Sequence, residues 1–419
     1  MKRLTVIAVA IAAVMFCAIP AMAVDVDFSG SYYVRGFYAD NTDLNDNSGA
    51  SDAFMDMRLR LQTVFQVNDT LKLTTRFDAM DGREWGTADD GANPNKDNID
   101  FDRAYLTANF DMFDLDVGRM SIGTYGTTFL DSGSDGDRIK LVKNMDPYTL
   151  MFIYQKSTEA DAVSGSGAAD EDKDVYLASV KYKDEGVDTG ILIGYTSDKT
   201  DSSFDRTYCS FNPYVRTSIG PVNLVGELGW ITGDYIDSPA TQEDYSAVAY
   251  HLNASGDVGP AGVSLGYAFS SGDVNTTDND HENYPLATDW QPLLILTGRT
   301  AAASSKHVFD LGGAGNFNSE NMTGTYGYKI YYGTVAFSPM ENVTLNGIIG
   351  VANADEVATG WDDDAGTEYD IGVTVKLMDN LTYKATLGYL DAGDFWKQGT
   401  PATVVDNTYM LFHQLTVTF

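Results

Sequence analysis

Basic side chains recur at alternate positions in the N-terminal part of the chain, with apolar residues between them. Arg58 and Arg60, for example, flank Leu59. Alternation with period two is typical of a β-strand whose two faces differ in polarity. One phase places six basic residues of neighbouring predicted strands on the same face, namely Arg35, Arg58, Arg60, Lys72, Arg76 and Arg103. A wall of cations selects and orients ions and polar solutes, so the sequence first predicts an ion-selective surface.

A stretch rich in glycine and aspartate, residues 115–143, supplies the opposite charge. It contains a predicted strand, a loop with a short apolar insert at Phe129 and Leu130, and a second predicted strand that starts at Arg138. A loop that interrupts a regular series of strand pairs can fold inward and narrow a barrel. We therefore expect a constriction loop at about residues 121–137. Charged residues of this loop and of the following strand are Asp131, Asp135, Asp137, Arg138 and Lys140.

Opposed charges across a narrow waist would create a transverse field. Such a field orders water and favours small polar or charged solutes over apolar ones. The alternative is that these side chains are simply solvated in a wide lumen. Arg119 is assigned to the constriction as well, although it is in phase with the apolar Val117. A bulge near Gly118 would resolve this conflict, because bulges are common at barrel rims; a shift of the strand edge by one residue is the alternative.

The first 23 residues have the three parts of a secretory signal peptide. A basic start at Lys2 and Arg3 precedes an apolar run over residues 4–19, and the small residues Ala21 and Ala23 end the segment. The run is shorter than the roughly 20 residues that a membrane-spanning helix needs. We expect export with cleavage before residue 24, which leaves residues 24–419 as the mature chain.

Composition limits the class of the mature chain. The 27 basic residues, less two in the signal peptide, leave 25 against 60 acidic residues, a net charge of −35. A chain this acidic is not expected to bind nucleic acid. Cys209 is the only mature cysteine and cannot form an intramolecular disulfide. The chain has 40 glycines and 25 tyrosines, with no Pro/Ser-rich linker and no helical periodicity, which favours one large β domain over several soluble ones.

The connections between the predicted strands alternate between short and long. Tight turns are predicted at residues 68–70, 111–114, 143–147, 219–221, 259–261, 339–342 and 379–380, and the loops between them are long and acidic. Short turns on one rim and long loops on the other are typical of outer-membrane barrels. We predict an all-β protein, a transmembrane antiparallel up-and-down β-barrel of about 18 strands, with 16 as the alternative.

Aromatic residues support a barrel in a membrane. Apolar faces carry aromatics near strand ends, where barrels place their interfacial girdles, at Tyr148, Phe152, Tyr154, Tyr176 and Tyr182. The last predicted strand alternates through Leu415 and Val417 and ends the chain at Phe419.

A terminal Phe on an alternating strand resembles the assembly signal of Gram-negative outer-membrane barrels, and the whole mature chain resembles the porins. Residues 115–143 follow the fifth predicted strand, where porins of this kind insert a constriction loop, and the basic face resembles the arginine cluster that porins set against loop carboxylates. The Pro-Glu-Phe-Gly-Gly motif of enterobacterial general porins is absent. The resemblance implies a water-filled channel for passive diffusion of small hydrophilic solutes and ions. It also implies a homotrimer in contact with outer-membrane lipid and lipopolysaccharide.

A predicted loop at residues 273–325 leaves other functions open. At about 50 residues it is too long for a simple connection. Its apolar residues are Trp290, Pro292, Leu293, Leu294 and Leu296. The loop could gate a substrate-selective channel, pack on the wall as a plug, or contact another subunit. A structural or adhesive surface barrel without an open pore is the alternative from another class.

Metal and catalytic sites are weakly indicated. Asp43, Asn45 and Asn47 before Gly49, and the run of aspartates at residues 362–364, offer oxygen ligands for Ca²⁺, but neither completes an EF-hand loop. Divalent ions bridging the acidic loops to lipopolysaccharide phosphates are a related hypothesis. We expect no other cofactor. Strand phase places His251 toward the lumen. The sequence offers no set of nucleophile, base and orienting group around it, so we expect that the protein is not an enzyme.

Overall fold

The structure is a computed structural model. It describes residues 24–45, 51–86, 99–123, 125–131, 133–160, 171–201, 204–238, 242–275, 277–285, 289–298 and 326–419. The predicted signal peptide and Asn47 of the first possible calcium site lie outside the described residues. No helix in these ranges is both long enough and apolar enough to cross a membrane.

The described chain forms 19 strands in one sheet. They are β1 Asp25–Asp40, β2 Ser51–Asn68, β3 Leu71–Glu84, β4 Ile99–Asn109, β5 Asp114–Ser121, β6 Asp135–Met145, β7 Tyr148–Thr158, β8 Lys173–Asp184, β9 Val187–Asp198, β10 Asp205–Ile219, β11 Val222–Asp237, β12 Gln242–Val258, β13 Ala261–Ser270, β14 Asp280–His281, β15 Tyr328–Met340, β16 Val343–Asn353, β17 Asp364–Met378, β18 Leu381–Ala392 and β19 Thr408–Thr418. A short 3-10 helix, Asp394–Lys397, precedes β19.

Of these strands, 18 close into an antiparallel barrel, as predicted. The two-residue β14 instead lies parallel to β12, and β13 pairs directly with β15. Closure comes from β1, which pairs with β2 on one side and β19 on the other. A closed sheet leaves no unpaired edge, which a barrel in lipid requires because lipid offers no hydrogen bonds.

Short connections lie at the rim that also holds residue 24, where the described chain begins, and the C-terminal residue 419. Each of the seven predicted tight turns falls there, and an eighth occurs at residues 185–186. The amide of Gly30 donates to the carbonyl of Phe419 at 2.9 Å, which ties the C-terminal strand to β1 at this rim. The strand ends that the long connections join all lie at the opposite rim. We call the two ends the short-turn rim and the long-loop rim.

The outer face is apolar and carries two bands of tyrosine. Near the short-turn rim, the rings of Tyr148 and Tyr182 lie 5.3 Å apart. Nearer the long-loop rim, Tyr176 lies 5.4 Å from Tyr154 and 6.2 Å from Tyr195. Tyr148 and Tyr154 are six positions apart in β7, so the two bands lie about 20 Å apart along the strand. This spacing suits an apolar belt bounded by two interfacial girdles.

Apolar side chains also fill part of the interior. Two inward-folded connections bring Phe129, Trp290, Leu293, Ile295 and Leu296 together inside the wall, each at most 6% exposed. They pack on small or apolar luminal residues of β12 to β16, such as Ala249, Ala268 and Ile330. The barrel is therefore not a uniformly water-filled cylinder.

Candidate functional site

A row of alternating guanidinium and carboxylate groups lines the lumen along β1 to β6. We call it the ladder. Its cations are Arg35, Arg58, Arg60, Arg76 and Arg103, and its carboxylates are Asp56, Asp78, Asp81, Asp102 and Asp135.

Direct partners across neighbouring strands form the first two rungs. Arg35 of β1 faces Asp56 of β2, donating from Nε at 2.8 Å and from Nη2 at 2.5 Å. Arg60 of β2 faces Asp78 of β3 in the same way, at 2.7 and 2.5 Å. A guanidinium that donates twice to one carboxylate is held in orientation as well as in place.

Shared carboxylates continue the ladder toward β6. Asp102 accepts from Arg76 Nε at 3.1 Å and from Arg60 Nη2 at 3.4 Å. Asp135 accepts from Arg76 Nη2 at 2.7 Å and from Arg103 Nε at 2.5 Å. Asp102 and Asp135 thus each join two arginines, so the ladder is connected from Arg58 to Arg103, and the pair Arg35 and Asp56 forms a separate rung.

The ladder corrects the predicted positive wall. Five arginines face five aspartates, so the wall carries charge but little net charge. Asp135 was expected on the loop across the lumen, yet it lies at the start of β6 within the ladder. The prediction was wrong because period two places aspartates on the luminal face too, about 4.8 Å from arginines on adjacent strands. Arg58 also lies 3.7 Å from both Asp78 and Asp81.

Two predicted lysines lie outside this network. Lys140 of β6 pairs with Asp116 of β5 at 2.9 Å. Lys72 lies next to the turn after β2, four residues from Arg76, about 13 Å along β3. Neither residue joins the ladder rungs, so the basic face divides into separate groups.

Arg119 and Asp137 were predicted at the constriction but face outward. The register of β4, β5 and β6 runs without a shift past Gly118, so the expected bulge is absent from these strands. Arg119 therefore keeps the outer phase of Val117 and lies 3.4 Å from Asp137 on the adjacent strand. Their exposed fractions of 47% and 62% agree with an outer-surface pair.

Between β5 and β6, the described residues 125–131 reach across the interior to β11. There Glu227 accepts the amide of Thr127 at 3.1 and 3.2 Å, its hydroxyl, and the amide of Leu130 at 3.4 Å. Gly126 is required at this contact, because a Cβ would overlap Glu227 Oε1. The buried carboxylate of Glu227 therefore anchors the loop. Residues 125–131 thus fold inward, and the constriction loop expected at about residues 121–137 stays a prediction.

Arg138 secures the base of the same loop. It is 6% exposed, and its Nη1 donates to the carbonyls of Ser121 and Ile122 at 3.3 and 3.2 Å, while Nε donates to Gln155 at 2.6 Å. Asp131 at the far side of the loop interacts electrostatically with Arg138. The hydrogen bonds of Arg138 therefore fix the residues at which the loop leaves β5.

A second inward segment, residues 289–298, is anchored in the same manner on β17. Glu368 accepts the amides of Ile295 and Leu296 at 2.6 and 2.8 Å, and Asp370 accepts the amide of Leu294 at 3.1 Å. Three successive amides therefore point at two buried carboxylates. The sequence analysis did not identify Glu227, Glu368 or Asp370. Acidic residues in luminal phase, as in the alternation of Glu368, Tyr369 and Asp370, were the available signal.

The two inward segments meet through aromatic contacts. Phe129 and Trp290 meet edge to face with centroids 5.4 Å apart, and Phe129 stacks on His251 at 5.4 Å. His251 Nε2 lies 2.8 Å from the hydroxyl of Tyr332, so the one luminal histidine of the sequence analysis serves packing. Tyr125 lies in the same inward segment as Phe129. Burial raises the pKa of its phenol, which therefore stays neutral.

Metal ligands do not converge in the described part of the chain. Within it, no three His, Cys, Asp or Glu side chains are arranged to hold a metal ion. Asp43 accepts the amide of Asn45 at 3.2 Å, and Asp362 accepts the amide of Asp364 at 3.0 Å, so these carboxylates support local turns. Calcium in the loops stays a prediction.

Comparison with protein families gives one match. The model of the Gram-negative porin family matches residues 8–291. A search of curated proteins finds no match.

Solved structures match over nearly the whole chain. OccK8 (OprE) of Pseudomonas aeruginosa has a TM-score of 0.56 at 13% identity, covering 94% of this chain and 98% of that one. A BenF-like porin from Pseudomonas fluorescens has a TM-score of 0.54 at 12% identity, covering 94% and 99%. An anion-selective porin from Comamonas acidovorans has a TM-score of 0.50 at 12% identity, covering 94% and 99%. At these identities the likeness shows a shared fold.

Proposed function

Because this chain belongs to the family of Gram-negative porins, we propose that it conducts small hydrophilic solutes along the ladder, past two inward segments that fill the rest of the lumen. The protein is a diffusion channel of the outer membrane, with the fold of a channel rather than of an enzyme. Its outer face contacts the lipid and lipopolysaccharide of that membrane.

One observation carries the restricted path. Residues 125–131 and 289–298 are each held inside the wall by carboxylates, at Glu227 and at Glu368 with Asp370. They pack on each other through Phe129 and Trp290. An apolar filling excludes water, so ions and polar solutes keep to the charged side of the lumen.

Ion preference follows from the charge balance of the ladder. Arginines paired with aspartates stabilise water and polar groups without an excess of positive charge. The rest of the chain is strongly acidic, with a net charge of −33 including the signal peptide. Acidic surfaces around a pore concentrate cations, so we propose a moderate preference for cations.

Single-channel recording of the refolded mature protein, residues 24–419, tests the channel in planar bilayers. We expect discrete conductance steps in KCl and a reversal potential of cationic sign across a KCl gradient. A folded, heat-modifiable barrel that stays silent would overturn the channel and favour a structural or adhesive role. A reversal potential of anionic sign would overturn only the ion preference.

A second candidate is a substrate-selective channel that uses the long connection after β13. The observation in its favour is that residues 289–298 of this connection lie inside the barrel wall, next to the luminal groups of β17. Competition between a solute and KCl current separates the two candidates. A saturable block supports selectivity, and a block that rises linearly with solute concentration supports an open pore.

We propose that the protein is a homotrimer, and an outward histidine supports this. His413 lies on β19 between Leu411 and Leu415, whose exposed fractions are 41% and 39%. Its imidazole packs over Gly36, where a Cβ would overlap it. A polar ring facing lipid is unfavourable, whereas a subunit contact would shield it.

We expect His413→Glu to convert the unheated trimer to monomers on a gel and His413→Leu to retain it; monomeric wild-type protein would contradict the proposal.

Divalent bridging of the acidic loops to lipopolysaccharide phosphates remains a proposal as well. Removing bridging ions would leave the carboxylates of the long-loop rim to repel the phosphates. We expect the heat-modification temperature in lipopolysaccharide-containing vesicles to fall when a chelator is added. An equal temperature with and without chelator would remove the bridging idea.

A further inference from the structure

A pocket of about 260 Å³ lies between the inward segment 289–298 and the wall formed by β16 to β19 and β1. Its lining combines charged, polar and apolar side chains. The groups that concern the argument are Asp370, Lys384, Thr386, Phe412 and Asn346, with Arg35 of the ladder at the margin. The pocket therefore adjoins the proposed path of solutes without belonging to the ladder.

Gly372 of β17 makes room for the pocket floor. A Cβ at this position would lie 2.6 Å from Nδ2 of Asn346 and 3.1 Å from Oγ1 of Thr386. Asn346 and Thr386 are its register partners on β16 and β18. The missing side chain lets both polar groups extend over the strand.

Two acceptor atoms in the pocket lack a hydrogen bond. Asp370 and Thr386 are 5% and 7% exposed. Among the described residues, no N–H or hydroxyl group pairs with Oδ1 of Asp370 or with Oγ1 of Thr386, and the carboxyl of Glu368 is the group that lies against Asp370. The other oxygen of Asp370 is already committed to the amide of Leu294. Buried polar atoms are almost always satisfied, so a donor from outside the protein is the simplest partner.

One cation of the pocket is also uncommitted. Lys384 and Arg35 lie in the same register row, each paired with Gln414 of β19 between them. Arg35 is held by Asp56 at 2.5 Å, whereas Lys384 makes no ion pair within 4.0 Å in the described part of the chain and interacts with Asp370 only over a longer distance. Its ammonium lies 5.9 Å from the ring centroid of Phe412.

We propose that this pocket binds small zwitterionic solutes that carry a carboxylate and an ammonium group on a short apolar body. The carboxylate faces the ammonium of Lys384, and the ligand ammonium donates to Asp370 Oδ1 and Thr386 Oγ1. Phe412 and Ile348 contact the apolar body. A simple anion would meet the Asp370 carboxylate, and a simple cation would meet Lys384, so only the solute with both charges matches both groups.

The proposal rests on the proposed channel, and current block tests it. L-valine is the probe, with isobutyrate and isobutylammonium as analogues that each keep one charge. We expect L-valine to reduce the open-channel KCl current in a saturable manner, and the analogues to require about tenfold higher concentrations. Block of equal strength by all three would overturn the zwitterion preference.

Two variants and a matched control locate the site. Lys384→Met and Thr386→Val each raise the half-blocking concentration of L-valine about tenfold. Lys376→Met removes a lysine from the same wall at the short-turn rim, where it pairs with Asp379 at 3.3 Å, and shifts the value less than twofold. If the half-blocking concentration shifts equally in all three variants, or in none of them, the pocket is not the binding site of L-valine.

Equilibrium binding separates failure of the pocket from failure of the channel. If the wild-type barrel does not conduct, the channel proposal fails, and calorimetry with L-valine and the detergent-solubilised protein still measures the pocket. Saturable heat lost in Lys384→Met supports the site. Absence of heat with the folded wild-type protein overturns it.

Discussion

Carboxylates on the two sides of the lumen have different partners. In the ladder they accept hydrogen bonds from arginine side chains of adjacent strands, as Asp78 does from Arg60. On β11 and β17 they accept hydrogen bonds from backbone amides of inward connections, as Glu368 does from Ile295. Side-chain partners leave the guanidinium groups of the wall partly exposed, with 22% of Arg58 and 28% of Arg60 accessible, whereas amide partners hold a segment of chain against the wall.

This difference in partners explains how the barrel can narrow its lumen and still leave the polar path that we propose for solutes. An amide donor brings its backbone with it, so Glu227, Glu368 and Asp370 draw whole connections inward and fill that side with apolar side chains. A guanidinium donor belongs to the wall itself, so the ladder satisfies its carboxylates without reducing the open cross-section. Carboxylates therefore hold apolar connections against one side of the lumen and pair with arginines on the other.

The largest expected effect comes from separating the two inward segments. Trp290→Ala should lower the free energy of unfolding by about 3 kcal/mol, because it deletes a buried ring that contacts Phe129 and Tyr328. Urea unfolding of the barrel measures the change. Trp85→Ala, at a site 53% exposed, is the control, with an expected loss below about 1 kcal/mol. Equal losses would show that Trp290 does not join the segments.

Releasing the anchor on β17 should widen the path. Glu368→Gln weakens the acceptor of two buried amides at a cost of about 2 kcal/mol, so residues 289–298 leave the wall part of the time. We expect noisier single-channel current with a mean conductance about 1.5 times higher. Glu341→Gln removes the same charge from an exposed turn and should leave the current steady. A quiet, unchanged channel in Glu368→Gln would contradict the anchoring role.

Unbalancing the ladder should change selectivity while leaving the lumen size unchanged. Asp78→Asn leaves Arg58 and Arg60 in excess, and we expect the anion-to-cation permeability ratio to rise about twofold. The double variant Arg60→Gln with Asp78→Asn restores the balance and should return the ratio to the wild-type value. If the double variant keeps the anion shift, pairing within the ladder does not set selectivity.

The smallest effect is expected outside the barrel. Arg119→Gln breaks the exposed contact with Asp137, whose contribution to the free energy of unfolding is below about 1 kcal/mol. Because Arg119 faces away from the lumen, the reversal potential should not move. A shift as large as that of Asp78→Asn would place Arg119 back at the pore.

Strand number and strand phase were accessible from sequence because period two is a local property. It gave the 18 strands, the tight turns and the luminal face of Arg35, Arg58 and Arg60. Lateral partners depend on register, which two irregularities between β2 and β3 set, near Met57 and near Gln66. Phase also places Asp56 and Asp78 on the luminal face, but only the register shows that Asp78 lies beside Arg60.

The carboxylates that hold the inward segments were harder to predict from the sequence. Their partners are backbone amides of distant residues, and an amide does not depend on the residue type. Glu227 binds the amide of Thr127, 100 positions away along the chain, and any residue type supplies an amide. Arg119 was misplaced for the opposite reason. Its position two residues after Val117 puts it on the outer face, but a bulge was expected near Gly118, and the strand is regular there.

Chemical accessibility of the two sides tests the divided lumen most directly. Cys209 is replaced by Ala, and a single cysteine is introduced either at Gln62 beside the ladder or at Ala268 beneath the inward segments. A negatively charged thiol reagent is then applied to the open channel. We expect Gln62→Cys to react with a visible drop in current and Ala268→Cys to react about 100-fold more slowly. Equal reaction rates at the two positions would contradict a lumen that conducts along the ladder alone.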